Sequence, residues 1–427
     1  MTSMKVHNSF NLVEKMMHIS GLWEKQYDCI LSARLYRCYT YIVKFFMIYF
    51  AIGIPMKIIY PESTEKAMEM VIMGIAHVIL LFKLYLFYFR KKELEQVMSD
   101  VKKNFHIHGN RLTTENQKII YETMLKARYI CVTFAIMLYF SFFVYCDILP
   151  LVTIKNHEYT FNFESTGCLI HNITITYSEM RLPIDVWLPY SLKKTFVFQL
   201  TYTLLLIGCQ VEAFNYISTD ALFITLILYI SGQFELLCDS LRSMPKNLEI
   251  RLAKIYTKVP ECNDLRFDVL QREAEMYIRE CAVHHQHLIR ESRRVESLWR
   301  RVFFAQFLIE SLWICLMRFR AMTMENRTDI LMMILMLVCI LMQMSLYCSF
   351  GSQLLTQSEN VSNAVYSTDW YNQSENFKLT ARMIIMRAQK PVRISAGLFG
   401  TISMPLLTKI LRSSYSYLTL LLNLTEA

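Results

Sequence analysis

The final apolar run of the chain, SYLTLLLNLTEA, carries one side-chain amide among leucines. Asn423 and Leu424 lie three and four residues after Leu420, so on a helix these three residues share one face. A ring of leucine side chains can close a pore by dewetting, and an adjacent ring of amides can hydrate a passing ion. An ordinary interfacial asparagine at a helix end fits the same pattern. The residues alone leave both interpretations open.

A second candidate for chemistry is the run AVHHQHLIRE, which contains His284, His285 and His287. His284 and His287 have the i, i+3 spacing of neighbours on a helix, but zinc requires about four ligands and only Cys281 lies nearby in sequence. We therefore interpret the run as a polar face of a cytosolic helix and predict no metal site. The sequence contains no GxSxG, P-loop, GxGxxG or HExxH motif, so we expect neither an enzyme nor a cofactor.

The composition indicates a membrane protein. Of the 427 residues, 54% are hydrophobic and 19% are charged, against about 25% charged residues in a typical soluble chain. The apolar residues lie in long blocks, and blocks of about 20 residues match the thickness of a bilayer core. Closed β-barrels instead show alternation over about 10 residues. The net charge of +9 comes mostly from loops between apolar blocks, which favours a topological cause over a nucleic-acid partner.

The apolar blocks predict an all-α fold with seven transmembrane helices. The spans cover roughly 41–59, 68–89, 129–149, a segment that starts near 195, 303–317, 330–350 and 394–424. The segment from Thr195 to Leu241 is about twice the length of one span, and its centre has neither Gly nor Pro, so we predict one long helix. The charged stretch 269–304 is helical in pattern and continues into the fifth span. We therefore expect helices 4–7 to have helical cytosolic extensions.

The distribution of Lys and Arg predicts the orientation of these helices. The N-terminal segment and the alternate loops that follow it hold 5, 9, 13 and 5 Lys plus Arg residues, whereas the intervening loops hold two to four each. Positive loops favour the cytosol, so the N-terminus is predicted to be cytosolic and the C-terminus extracellular. This orientation is opposite to that of a G-protein-coupled receptor. Asn172, in an Asn-Ile-Thr sequon, falls in a predicted exterior loop and is a candidate for glycosylation.

We divide the chain into four regions. They are a cytosolic N-terminal segment (1–40), transmembrane helices 1–4 (41–238), a cytosolic helical region (239–302), and helices 5–7 with a cytosolic anchor (303–427). Within the second region, the exterior segment 150–190 ends in LPIDVWLPY, whose Trp187 fits a lid at the membrane interface. Cys146 and Cys168 are the two cysteines that an oxidising exterior could link, and the sequence leaves that disulfide open. Lys44 and Lys83 lie inside predicted spans, where we expect them to snorkel to the interface.

The last hundred residues carry a family resemblance. Its residues are Gly351, Ser358, Tyr366, Trp370, the segment 387–391 (RAQKP) and the segment 414–417 (SYSY). This pattern resembles the insect odorant receptor family, and LPIDVWLP, Asp220 and the cytosolic N-terminus fit the same family. The resemblance covers nearly the whole chain at the level of pattern but is specific in the last two helices. The terminal stretch departs from the related gustatory receptor signature at three of its four fixed positions.

The resemblance implies a ligand-gated, non-selective cation channel in the plasma membrane of olfactory sensory neurons. Members of the family are tetramers with a central pore lined by the last helix, and a ligand-tuned subunit works with a co-receptor that has a longer loop between spans four and five. This chain resembles a tuned subunit, for which heterotetramers, small volatile organic ligands, cations and membrane lipid are the implied partners. The family gate maps to Leu420, Asn423 and Leu424, beside Tyr417, and the family usually has Gln where this chain has Asn423.

The resemblance also implies an odorant pocket in the outer half of each subunit, among helices 2, 3, 4 and 6. The residues there that we expect to contact ligand are Gly74, His77, Val78, Met137, Ser141, Tyr145, Phe198, Tyr202, Met336, Cys339 and Ile340. Small volatile ligands require mostly hydrophobic walls with a few polar groups, and methionine provides adaptable ones. Ordinary helix packing is the competing interpretation for each of these residues.

Two other classes of protein are compatible with the sequence. A G-protein-coupled or gustatory-type chemoreceptor with seven helices is the main alternative, and the positions of Lys and Arg count against the first of these. A secondary transporter is the other, and it predicts internal repeats that this sequence does not show.

Overall fold

The computed structural model describes residues 3–24, 29–60, 64–109, 114–148, 155–162, 172–179, 182–190, 192, 194–256, 263–323 and 327–426. Its helices are α1 (Ser3–Ile19), α2 (Ile30–Ile59), α3 (Thr64–Phe89), α4 (Lys91–Gly109), α5 (Thr114–Phe143), α6 (Thr195–Arg242), α7 (Met244–Tyr256), α8 (Asn263–Thr323), α9 (Arg327–Tyr366), α10 (Glu375–Ala388) and α11 (Met404–Glu426). A π-helical turn, Val144–Ile148, follows α5, and two strands, β1 (Lys155–Asn162) and β2 (Asn172–Glu179), form a hairpin.

Helix α6 forms the centre of the bundle. It runs without interruption for 48 residues, as the absence of Gly and Pro at its centre predicts. Its two glycines lie where neighbouring helices approach closely. A Cβ on Gly208 would lie 2.7 Å from a ring carbon of Phe50 in α2, and a Cβ on Gly232 would lie 2.5 Å from Thr123 in α5. The small residues therefore let α2 and α5 pack directly against the backbone of α6.

The predicted helical extensions of the fourth, fifth and sixth membrane helices are confirmed. Helices α8 and α9 run for 61 and 40 residues, far beyond the length that a bilayer requires. Within the described residues, five helices are long and apolar enough to cross a membrane, namely Ile30–Ile59, Met70–Phe89, Lys118–Phe143, Phe196–Arg242 and Met333–Tyr366. The other two predicted spans lie in the C-terminal part of α8 and in α11.

The main apolar core lies where α6 meets α8 and α9. Phe223 of α6 contacts Phe303 of α8 at 4.5 Å and Tyr347 of α9 at 5.8 Å between ring centroids, both edge to face. The N-terminal helix joins this core, because Phe10 of α1 packs edge to face on Tyr229 of α6 at 4.4 Å. Helix packing around a single long element thus fixes the relative positions of the other helices.

The seventh helix begins later than predicted. The sequence suggested a start at Ile394, whereas α11 starts at Met404. Residues 394–403 form a tight loop in which the Ile402 N–H donates to the Ile394 carbonyl at 2.8 Å. Gly397 and Gly400 adopt φ angles of +57° and +90°, which glycine tolerates and other residues disfavour. These glycines separate α10 from α11, so the extension of the seventh helix is a distinct helix.

The exterior segment contains the β hairpin, a small exception to the all-α architecture. The strands pair antiparallel from Lys155 opposite Glu179 to Asn162 opposite Asn172. The side chain of Asn172 lies outside the described part of the structure, as does Cys168, so the glycosylation and disulfide predictions stay untested.

The stretch 182–190 that follows the hairpin rests on α2. The Trp187 N–H donates to the Gly53 carbonyl at 3.1 Å, and the Tyr49 hydroxyl donates to the Trp187 carbonyl at 3.1 Å. Lys57 of α2 also lies 3.4 Å from Asp185. These contacts hold the stretch against one wall of the helix bundle.

Candidate functional site

A cavity of about 60 Å³ lies inside the helix bundle, beside the stretch 182–190. Its lining residues come from six helices, the π turn and the exterior stretch: Ile54, Met73, Ala76, His77, Leu80, Phe142, Cys146, Ile184, Cys209, Glu212, Tyr216, Trp313 and Met336. Most of the lining is apolar, with few polar groups. This combination is typical of small-molecule sites.

The main polar feature of the lining is a His–Glu pair. Nδ1 of His77 in α3 hydrogen bonds to Oε1 of Glu212 in α6, and the two side chains are 4% and 12% exposed. The second ring nitrogen of His77, Nε2, is buried without a hydrogen-bond partner among the described residues, and so is the indole Nε1 of Trp313. Buried polar atoms normally have hydrogen-bond partners, so these two atoms are candidates to hydrogen bond a small molecule in the cavity.

The structure brings two of the predicted pocket residues, His77 and Met336, into the cavity lining. Five others lie outside this lining. Gly74 packs against Ile54, Val78 is 42% exposed, and Ser141, Cys339 and Ile340 are buried outside the lining.

Three further predicted pocket residues, from α5 and α6, also lie outside this lining. Phe198 and Tyr202 pair with each other near the start of α6, with ring centroids 6.1 Å apart, and Met137 is half-buried in α5. The side chain of Tyr145 lies outside the described part of the structure.

The sequence reasoning missed Glu212 and Trp313. Glu212 carried a readable signal, because an acidic residue inside an apolar segment of membrane-spanning length is a functional candidate by default. Trp313 carried no such signal, since a tryptophan in an apolar span is more often packing. Its position beside the cavity follows from the path of α8 alone.

A buried ion pair lies deeper in the bundle. Nζ of Lys83 in α3 donates to Oδ1 of Asp220 in α6 at 2.5 Å, and each side chain is 4% exposed. The expectation that Lys83 snorkels to the interface is therefore wrong. Its partner lies 137 residues away in sequence, and Nζ also lies 3.7 Å from the ring centroid of Tyr216. Burial of both charges requires this pairing, because an isolated buried charge is costly.

Hydrogen bonds from α9 complete the environment of the ion pair. Nε2 of Gln343 donates to Oδ2 of Asp220 at 2.7 Å and to the Tyr347 hydroxyl at 2.9 Å. Glu310 of α8 is also fully buried, accepts a hydrogen bond from Gln306 at 2.7 Å and interacts electrostatically with Lys83. One ammonium and two carboxyl groups thus tie together α3, α6, α8 and α9.

Lys44 of α2 behaves as its sequence position predicts. Its side chain is exposed, and Nζ lies 5.3 Å from the ring centroid of Tyr88 near the end of α3. The ammonium is thereby carried toward the end of the helices that we assign to the cytosolic side.

The histidine run is not the exposed polar face that we expected. His284 and His285 are buried, and His284 Nε2 hydrogen bonds to Gln233 at 3.0 Å. Burial, and to a lesser extent the positive charge of Arg387, lower the pKa of His285 to about 4. Burial also raises the pKa of the Cys281 thiol to about 12. Among the described residues no group of three His, Cys, Asp or Glu side chains could hold a metal ion.

Helix α11 has two different faces. Leu406, Ile410 and Ser414 are buried at a spacing of four, and the Ser414 hydroxyl donates to the Ser311 carbonyl of α8 at 3.3 Å. The opposite face is exposed in the single chain and carries Lys409, Arg412, Ser416 and Thr419. The side chains of Tyr417, Leu420, Asn423 and Leu424 lie outside the described part, so the gate prediction stays untested.

Comparison with known proteins identifies the family. A family model described as 7tm Odorant receptor matches residues 63–415. The chain belongs to the 7tm odorant receptor family. The resemblance seen in the sequence is thereby confirmed, and the relatives of this odorant receptor chain are receptors and not enzymes.

Curated relatives are similar in sequence to this chain over part of their length. Odorant receptor 63a and odorant receptor 22c of Drosophila melanogaster are 30% identical over 153 residues and 27% identical over 245 residues, which are 35% and 57% of this chain. The odorant receptor coreceptor of Anopheles gambiae is 26% identical over 160 residues, 36% of this chain. The chain spans 36%, 58% and 34% of the length of these three curated relatives.

A solved structure shares the whole fold. The insect olfactory receptor OR5 from Machilis hrabei, determined in complex with eugenol, superposes with a TM-score of 0.77 at 15% identity and 98% coverage of both chains. The all-α membrane fold predicted from the sequence is therefore confirmed for this odorant receptor.

Proposed function

We propose that this chain is a subunit of an odorant-gated, non-selective cation channel. A small volatile ligand binds inside the helix bundle, in the outer half of the membrane, and its binding opens a central pore lined by α11. The feature that carries the proposal is the cavity beside the stretch 182–190, because it is mostly apolar and holds two buried polar atoms that have no partner within the described part of the chain. The eugenol complex of the structurally similar receptor supports a small ligand.

The stretch 182–190 acts as a lid on this cavity in our proposal. Ile184 lines the cavity. Trp187 hydrogen bonds to α2, and Asp185 forms an ion pair with Lys57 of the same helix. With the N-terminus cytosolic and the C-terminus extracellular, this stretch lies on the outer side. Ligands then enter from outside or from the outer leaflet of the membrane.

The two faces of α11 support a role in lining the pore. One face packs on α8, and the exposed face carries Ser416 and Thr419 at helical spacing. Lys409 and Arg412 precede them toward the cytosolic end, where we expect them to flank the pore or face a wide vestibule, because they would repel cations in a narrow pore. Continuing that spacing by four residues reaches Asn423, which is thereby in register with the exposed polar face. In a tetramer this face lies toward the central axis, with Leu420 beside it, Leu424 one turn beyond and Tyr417 in the preceding turn.

A symmetric assembly would also cover an exposed apolar stripe on α10. Leu379, Met383 and Met386 are 59%, 59% and 61% exposed at spacings of four and three. Exposed apolar stripes often mark protein contacts, and we assign this one to a contact with a neighbouring subunit. The similarity to an odorant receptor coreceptor supports a heterotetramer in which the co-receptor provides the other subunits.

Co-expression with an odorant co-receptor tests this proposal. We expect a panel of volatile compounds to evoke cation current in cells that express both chains, and not in cells that express the co-receptor alone. The orientation is tested in the same cells by epitope tags, with the C-terminal tag accessible from outside and the N-terminal tag hidden. An exposed N-terminal tag with a hidden C-terminal tag would instead support the alternative, a G-protein-coupled receptor.

Three further points belong to the same proposal. The chain acts in the plasma membrane of olfactory sensory neurons, it conducts cations without a bound cofactor, and it carries a glycan on Asn172. Peptide mapping before and after removal of N-glycans tests the last point.

A further inference from the structure

We infer that the cavity selects small ligands that carry a hydroxyl group, with His77 accepting the hydroxyl hydrogen and Trp313 donating to its oxygen. This inference deepens the proposed function and rests on its ligand-binding part. It starts from Nε2 of His77 and Nε1 of Trp313, two buried polar atoms that have no hydrogen-bond partner in the part of the chain that the structure describes. Both residues line one cavity of about 60 Å³.

We assign the hydrogens of His77 from its hydrogen bond to Glu212. A carboxylate only accepts hydrogen bonds, so Nδ1 of His77 carries a hydrogen and donates it to Oε1 of Glu212. In the neutral ring Nε2 is then a lone-pair acceptor that faces no donor among the described residues. An apolar ligand would leave this acceptor unsatisfied, which costs binding free energy.

Trp313 provides the complementary group. An indole N–H can only donate a hydrogen bond, and its Nε1 is buried with no acceptor among the described residues. One donor and one acceptor therefore lie in the lining of the same small cavity. A hydroxyl group is the smallest ligand group that both donates and accepts, whereas a ketone can satisfy Trp313 alone and an alkane neither.

Two other residues of the lining already make hydrogen bonds of their own. The Tyr216 hydroxyl donates to Oε1 of Gln343 at 3.3 Å, and Glu212 holds His77. The remaining walls are aliphatic, aromatic or sulfur-containing, and Met73 and Met336 among them can shift to admit a few more carbon atoms. The ligand class that fits is a small alcohol or phenol with a short apolar body.

A set of three matched probes tests the inference. 1-Butanol, 2-butanone and n-pentane each have five heavy atoms and differ in what they donate and accept. Their relative affinities are measured as ligand-dependent shifts in the melting temperature of the purified full-length protein in lipid nanodiscs. Ratios between probes, compared between protein variants, remove the differences in their hydration.

Each variant has its own expected signature. His77→Phe should lower the affinity of 1-butanol relative to 2-butanone by about fivefold or more, because only the alcohol donates to Nε2. Trp313→Phe should lower the affinities of 1-butanol and 2-butanone relative to n-pentane by a similar factor. Met336→Leu, a volume-conserving control in the same wall, should leave all the ratios unchanged. If His77→Phe does not fold, His77→Leu removes the same acceptor.

Several results would overturn the inference. They are ratios that do not change in His77→Phe or Trp313→Phe, a loss of ketone instead of alcohol in His77→Phe, and failure of 1-butanol to bind the wild-type protein. Current recordings separate this inference from the proposed function. Probes that bind in the expected pattern without evoking current contradict channel gating, whereas odorant-evoked current without the pattern contradicts the hydroxyl selectivity.

Discussion

The ammonium of Lys83 lies 2.5 Å from a carboxylate oxygen of Asp220, and both side chains are almost completely buried inside the helix bundle. Nearby, one turn before Asp220 on α6, Tyr216 contributes both to this environment and to the cavity lining. The ion pair therefore joins α3 and α6 directly below the proposed ligand site. A ligand that moves either helix must also shift the ion pair.

Removal of one charge of this pair should destabilise the protein strongly. Lys83→Met leaves the Asp220 carboxylate buried without its cation, which costs about 3 to 5 kcal/mol in comparable pairs. The matched control is Lys118→Met, whose ammonium lies 3.7 Å from Glu122 with both side chains mostly exposed, and exposed pairs contribute little. Thermal unfolding of the purified variants measures the difference. Equal losses of stability in the two variants would contradict the burial of Lys83.

Removal of both charges should cost less than the sum of the two single changes. In Lys83→Met/Asp220→Leu both members of the ion pair are removed together, so much of the penalty of each single variant disappears. Glu310 loses its nearby cation in Lys83→Met and in the double variant alike. The same unfolding measurement, applied to both single variants and the double variant, gives the coupling free energy. Additive effects would mean that the two side chains do not interact in the folded protein.

The approach of the loop 394–403 to α9 predicts that Gly351→Ala is destabilising. A Cβ at Gly351 would lie 2.3 Å from the Ile402 carbonyl oxygen, so the backbone of the loop must move, at a cost of about 1 to 3 kcal/mol. Gly53→Ala is the control, because its Cβ would meet its nearest neighbour, Val186, at an ordinary 3.5 Å. Both positions are inside helices, so the gain in helix propensity is shared. Denaturation midpoints that shift alike would contradict this packing.

The buried His285 predicts a specific pH dependence of stability. The folded protein keeps this ring neutral down to a pKa of about 4, whereas in the unfolded chain it binds a proton below about pH 6.5. Since the unfolded state binds more protons in this window, stability falls as the pH falls from 6.5 to 4. His285→Phe, whose ring can pack on Phe234, removes this term. Relative to wild type, its free energy of unfolding should rise by about 3 kcal/mol between pH 7 and pH 4. Parallel pH profiles of the two proteins would show that His285 is not buried as a neutral ring.

The sequence predicted the long helices because their signals are local. The centre of α6 lacks Gly and Pro, and the charged stretch that precedes the fifth span keeps a helical pattern, so both extensions were readable. The start of α11 was not readable, although Gly397 and Gly400 were visible. Apolar residues on both sides of them fit a continuous helix. The positive φ angles of the two glycines and the contact of the loop with α9, which decide against it, appear only in the folded structure.

The candidate site was less predictable than the fold. His77 was identified as a pocket residue, but Lys83 was assigned to the interface because its partner, Asp220, is 137 residues away. Glu212 could have been found by the rule that an acidic residue in an apolar span needs a function or a partner. Helix packing, and not spacing along one helix, determines that Trp313 lies beside the same cavity.

The central claim is that odorant opens a cation pore lined by α11, and current in excised patches tests it most directly. Wild-type protein and the variants Leu420→Ala, Asn423→Lys and Leu407→Met are each co-expressed with the co-receptor, and odorant is applied without nucleotides. We predict a cation-selective current in the wild type, a raised basal current in Leu420→Ala, a reduced cation permeability in Asn423→Lys, and wild-type behaviour in the control Leu407→Met. A current that disappears without nucleotides, or a basal current and permeability unchanged in both Leu420→Ala and Asn423→Lys, would contradict the account.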